Sequence, residues 1–146
     1  MKRRAIPTRA DWGDLSKDPE IRYAWKLFGG KSIEDAAQLF IDNPIERGAE
    51  IRFCTTTVFS YYIFCFVDFL LSPSSSGESD VASCFIHLVR DRARDDKGFQ
   101  PVLLELLPTI EDVASRQGFY GAEPGIYGSF SRLAAHCRDF ATGSVS

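Results

Sequence analysis

Residues 53–71, FCTTTVFSYYIFCFVDFLL, form the longest apolar stretch in the chain and constrain its folding most. Nineteen residues are long enough to span a bilayer as a helix. The run also carries three threonines, a serine, two tyrosines and Asp68, and no second hydrophobic segment accompanies it. An acid in lipid is costly without a partner helix to shelter it. The reading is therefore a central core helix over about 55–71, buried on most sides. A strand is disfavoured by length, since strands usually run ~4–8 residues. A membrane-associated protein using 53–71 is the minor alternative.

Helix punctuation surrounds this run. Asp18-Pro19-Glu20 supplies an N-cap, a proline for the first turn and an acid, and Gly29-Gly30 closes the segment. Ser32-x-x-Asp35 opens a second stripe, Ile33, Ala36, Ala37, Phe40 and Ile41, which Asn43-Pro44 stops. Pro44–Phe53 reads as a short helix with Glu46 reaching back to its start. Ser79 or Asp80 caps a helix to about Arg94. Val102 to Ala114 is amphipathic with Pro108 inside it, and Glu123-Pro124 opens one last helix through Cys137. No segment alternates with period two. The expected fold is all-α: one domain, residues 1–146, of six or seven short helices around the central one. Residues 1–10 are expected to be a flexible tail, and the Ser-rich stretch 72–79 a mobile loop.

Of the 146 residues, 45% are apolar and 25% charged, enough for a packed core without staples. Net charge is −3, and the acidic excess lies in the second half, so no basic face for nucleic acid is expected. Lys2, Arg3, Arg4 and Arg9 form the one basic cluster, read as a solvated end. The four cysteines, Cys54, Cys65, Cys84 and Cys137, contain no C-x-x-C and sit among apolar neighbours, which reads as buried thiols in a reducing, cytoplasmic setting. No apolar stretch follows Met1, so no secretory signal is expected.

Chemistry is sparse. Cys84, His87 and Asp91 share one helical face at i, i+3, i+7, a thiol, a base and an acid. Cys84, His87, His136 and Cys137 could supply four zinc ligands, but adjacent His136 and Cys137 point ~100° apart on a helix. No metal or cofactor is therefore expected. Asp68 inside an aromatic run reads as a buried acid paired with Arg22, Arg52 or Arg90, setting helix register. The segment 118–128 alternates four glycines with aromatics, and with Trp12 it supplies the candidate binding residues Phe119, Tyr120 and Tyr127.

The size and helicity resemble those of small cytosolic bacterial proteins, including some that neutralise a cognate toxin. The sparse chemistry and the candidate exposed aromatics lead to the expectation of a protein without catalysis that binds an unidentified protein partner, as an adaptor or toxin-neutralising type, with a homo-oligomer as one form of it. An enzyme using Cys84, His87 and Asp91, or Asp68, is the alternative.

Overall fold

The computed structural model describes residues 4–143, and within them the chain is all-α with no strand. Eight α-helices follow in order: α1 (Pro19–Phe28), α2 (Ile33–Asp42), α3 (Pro44–Ile51), α4 (Thr56–Leu71), α5 (Ser79–Asp95), α6 (Gln100–Ser115), α7 (Pro124–Tyr127) and α8 (Phe130–Thr142). Short 3₁₀ turns occupy Arg9–Trp12, Pro73–Ser75 and Lys97–Phe99. The chain resolves into two compact units that meet in sequence at Phe69 and Leu70, inside the last turn of α4.

In the first unit, local signals set the helix ends. The Asp18 carboxylate accepts from the Glu20 N–H at 2.9 Å, and Ser32 Oγ accepts from the Asp35 N–H at 3.0 Å. These caps satisfy N–H groups that have no partner within the helix. After α1 the chain reverses through Gly29 and Gly30. A Cβ at Gly29 would lie 2.6 Å from the Trp25 ring, and Gly30 has φ +75°.

Helix α4 secures that reversal with two adjacent phenols. Tyr62 Oη lies 2.7 Å from the carbonyls of both Phe28 and Lys31, and its proton is donated to one at a time. Tyr61 Oη accepts from the Ile33 N–H at 2.9 Å, at the first turn of α2. One phenol thus serves the C-terminal end of α1 and the other the N-terminal end of α2.

Residues Val58 to Val67 of α4 are all buried. Rings join in a chain through this unit: Trp25 to Trp12 (5.4 Å), Trp12 to Tyr62 (6.2 Å), Tyr62 to Phe28 (4.9 Å), Phe28 to Phe40 (5.8 Å) and Phe40 to Phe66 (5.6 Å). Such tilted and edge-on contacts add to simple burial. The central run does not behave as one element, however. Helix α4 starts at Thr56, and Phe53 lies in the preceding turn, 63% exposed. Thr55 separates them, its hydroxyl donating to the Asp11 carbonyl at 2.6 Å.

Of the basic N-terminal cluster, Lys2 and Arg3 lie outside the described residues. From Thr8 onward the expected tail is ordered by a reciprocal cap, with Thr8 N–H donating to Asp11 Oδ2 and Asp11 N–H to Thr8 Oγ1. Arg4 and Arg9 lie over the rings of Phe64 and Trp25 at 4.6 and 5.5 Å.

In the second unit, α6 packs against α8 and α5 packs against both. Gln100 Nε2 donates to the Ala141 carbonyl, and Phe130 N–H donates to Gln117 Oε1, so α6 and α8 run antiparallel. Helix α6 continues through Pro108, which is exposed and leaves the carbonyl one turn back to solvent. The expected single last helix is two, because Gly128 (φ +79°) ends α7 and Ser129 caps α8 anew. With that break, seven helices accompany α4 among the described residues, as the sequence predicts. Within the Ser-rich stretch, Ser75 is fully buried and its hydroxyl donates to the carbonyls of Leu70 or Ser72, both at 2.8 Å.

Removing the Tyr62 hydroxyl tests the role of α4. Tyr62→Phe is expected to lower the unfolding free energy by about 1–3 kcal/mol, since buried carbonyls lose their donor. Urea denaturation followed by circular dichroism measures this, and an unchanged midpoint would show that the phenol does not hold the α1–α2 reversal.

Candidate functional site

The aromatic residues singled out in the sequence divide in the structure. Trp12 and Tyr120 are 1% and 0% exposed, so neither presents a surface to a partner. Trp12 packs edge-on to Trp25, and its indole N–H meets no acceptor among the described residues. Tyr120 points inward and donates to the Leu70 carbonyl at 2.8 Å. The glycine-rich segment turns Tyr120 into the core, and Gln117 ties the segment down: Nε2 donates to the carbonyls of Ala122 and Gly128, and Oε1 accepts from the Phe130 N–H. Tyr127 is half-buried, its hydroxyl on Asp80 Oδ1 at 2.5 Å and 3.0 Å from Ser79 Oγ. Phe119 stays exposed beneath the Arg116 guanidinium at 4.5 Å.

Asp68 is not the buried acid expected. It is exposed, on a face of the last α4 turns that it shares with exposed Leu71 three residues on. No ion pair to it exists among the described residues. Arg22 instead donates to the carbonyls of Leu15 and Ser16, and Arg90 pairs with Asp91. Partial burial, helped by the Glu34 carboxylate, raises the Asp68 carboxyl above its usual range. The folded state therefore disfavours its charge. A carboxyl raised in this way contributes stability at low pH and loses it as pH climbs through the folded value. Asp68→Asn is accordingly expected to leave the melting temperature at neutral pH unchanged or higher. A clear drop, read by calorimetry, would restore a stabilising role for the carboxylate.

The thiol face of α5 is not arranged for nucleophilic catalysis. Asp91 Oδ1 accepts from Arg90 Nε at 3.0 Å, with Arg94 at 3.7 Å, so arginines occupy the acid that would orient His87. Cys84 is exposed, and burial together with Asp80 pushes its thiol up, away from the reactive thiolate. Cys54, Cys65 and Cys137 are buried, and burial pushes Cys65 and Cys137 up to about 12. Among the described residues, no three His, Cys, Asp or Glu side chains are grouped to hold a metal ion. Likewise no helix among them is long and apolar enough to cross a membrane. Maleimide labelling of the native chain is expected to modify Cys84 first, at a rate still climbing beyond pH 9. Faster labelling of any buried cysteine, or a plateau near neutral pH, would contradict this.

The site that the sequence reading missed lies in the first unit. A cavity of about 430 Å³ is lined by Pro19, Glu20 and Tyr23 of α1, Ala49 and Glu50 of α3, and Phe53 just beyond α3. Ile21, Ala24 and Phe28 turn α1 toward the core, which leaves Tyr23 outward, 51% exposed. Helix α3 buries Arg47, Gly48 and Ile51 and turns Ala49 out. Phe53 follows Ala49 at one helical turn.

Behind Glu50, Arg47 is 8% exposed and forms an ion pair with it that includes one hydrogen bond. Nε lies 2.6 Å from Oε1, and Nη2 donates to Oε2 at 3.1 Å. Glu46 approaches the same guanidinium at 3.4 Å. The planar fork suits a carboxylate better than a lysine ammonium would. Burial raises the Glu50 carboxyl, Arg47 opposes that shift, and Glu46 adds to it. The pair thereby fixes one carboxylate in the wall.

No protein family, curated protein or solved structure matches this chain. The residues themselves therefore carry the functional argument. Two signals for the groove were present in the sequence: Tyr23 stands off the apolar stripe of α1, and Ile45, Ala49 and Phe53 recur every fourth residue. Counting Phe53 as the start of the apolar run 53–71 concealed the second.

Proposed function

We propose that this chain acts by binding another protein, with the groove between α1 and α3 as the seat for a side chain of that partner. One observation carries the reading. Among the described residues only three aromatic side chains are exposed, Tyr23, Phe53 and Phe119, and two of them line one cavity. Exposed aromatics grouped at a concavity are what binding hot spots are built from, whereas scattered exposed apolar residues are ordinary. The cavity, about 430 Å³, falls within the ~300–1,000 Å³ range of ligand sites and has room for an anchoring side chain. An adaptor or a toxin-neutralising protein would work in this way, and both stand as forms of the proposal.

Selection of binding peptides from a random library on the folded chain tests it. Peptides recovered are expected to lose on the order of tenfold or more in affinity on Tyr23→Ala and Phe53→Ala, the size of a hot-spot loss. Phe119→Ala and Ile126→Ala, which change exposed apolar residues elsewhere, are expected to bind normally. All four positions are exposed, so melting curves should overlay. Peptides indifferent to Tyr23 and Phe53 would remove the groove from the proposal.

A further inference from the structure

We infer that the anchor taken by this groove is basic, a lysine or arginine side chain of the partner; the inference rests on the docking role proposed above. The lining supplies both parts of such a site. Pro19, Tyr23, Ala49 and Phe53 offer apolar and aromatic surface for an aliphatic stem, and Glu20 offers an exposed carboxylate for its head, with the Arg47-held Glu50 in the wall beside it. No basic side chain lines the cavity.

The charge balance favours a cation. Glu20 has no ion partner among the described residues, and Glu46 and Glu50 share the single guanidinium of Arg47. Three carboxylates thus stand against one buried cation. Counting Arg52, whose guanidinium lies 5.7 Å from the centre of the Phe53 ring, these five side chains sum to −1. That contact also shows the Phe53 ring accepting a cation within the chain itself. Aromatic faces and carboxylates attract the same kind of ligand, one through the ring quadrupole and the other through net charge.

Other occupants fit less well. An anion would face Glu20 and Glu50 directly. A wholly apolar side chain would cover the rings and take the Glu20 carboxylate out of water without replacing the lost hydration. A basic side chain covers the same rings and meets that carboxylate with a donor. Arg47 matters because it holds Glu50 in position before any ligand arrives, which lowers the cost of ordering on binding.

Amide-resolved NMR titration of the folded chain with blocked single amino acids tests this. The probes are N-acetyl-lysine methylamide, N-acetyl-arginine methylamide, the neutral N-acetyl-norleucine methylamide and the acidic N-acetyl-glutamate methylamide. The basic probes are expected to shift amides around 20–23 and 49–53 at millimolar concentration and to bind about five- to tenfold more tightly than norleucine. Added salt should narrow that gap. Glu20→Gln should bring the lysine probe close to norleucine while leaving norleucine unchanged. Norleucine binding as well as lysine in the wild-type chain would overturn the inference and leave the groove as an apolar docking site. Basic probes shifting the same amides in Tyr23→Ala as in the wild type would place their binding outside the groove and overturn both.

Discussion

Two phenol hydroxyls on consecutive residues of α4 hold the first unit together. An apolar helix set among other helices brings the problem of the backbone groups at its neighbours' ends, which lack partners within their own helices. Tyr62 meets the carbonyl end of α1 and Tyr61 the amide end of α2, so one stretch of α4 closes both sides of the reversal between them. The rings that carry these hydroxyls also pack into the aromatic chain from Trp25 to Phe66. Burial holds the Tyr62 hydroxyl protonated far above the usual tyrosine range, which keeps it a donor. Polar and apolar requirements of this unit are thus met by the same residues.

The groove depends on that framework. Its α1 wall is held by Phe28 and Ala24 facing inward, and its α3 wall by Ile51 and the Arg47–Glu50 pair. Tyr23, Ala49 and Phe53 face outward because the residues beside them face in. The binding proposal therefore needs no moving part: packing on the inner faces determines what the outer faces display. A buried arginine is costly to desolvate, and here its fork is spent on a carboxylate that forms part of the cavity wall.

Much of the fold was legible from local signals. The boundaries of α1 and the start of α2 follow from Asp18-Pro19, Gly29-Gly30 and Ser32, because caps and glycines act within a few residues. Where the sequence reading departed from the structure, the deciding partner was distant or the hydrophobic pattern ran across a boundary. Asn43, which stops α2, also stands at the start of α3 but makes no side-chain cap bond there. Phe53 was counted in the apolar run 53–71 and as the end of the short helix from Pro44, because apolar character continues through the turn before Thr56, and hydrophobicity alone does not mark that the side chain there faces out. Asp68 was placed inside because its neighbours are aromatic, yet the final turns of α4 expose one face. Tyr61 and Tyr62 were counted as core rings, and nothing near them indicated that their hydroxyls answer residues some thirty positions earlier. The same separation concealed the site, since its walls come from helices whose proximity no short window of sequence can express.

Gln117 offers a last consequence. Its amide uses both ends to bind three points of the segment that follows, at Ala122, Gly128 and Phe130. Four glycines lie between 118 and 128, and ordering each of them costs more chain entropy than ordering any other residue. A single carboxamide thus clasps the most pliant stretch of the chain. Hydrolysis of that amide to an acid would replace the nitrogen that carries both donors with one carboxylate oxygen facing two carbonyls, so slow chemical ageing of one side chain would unfasten the loop as a whole.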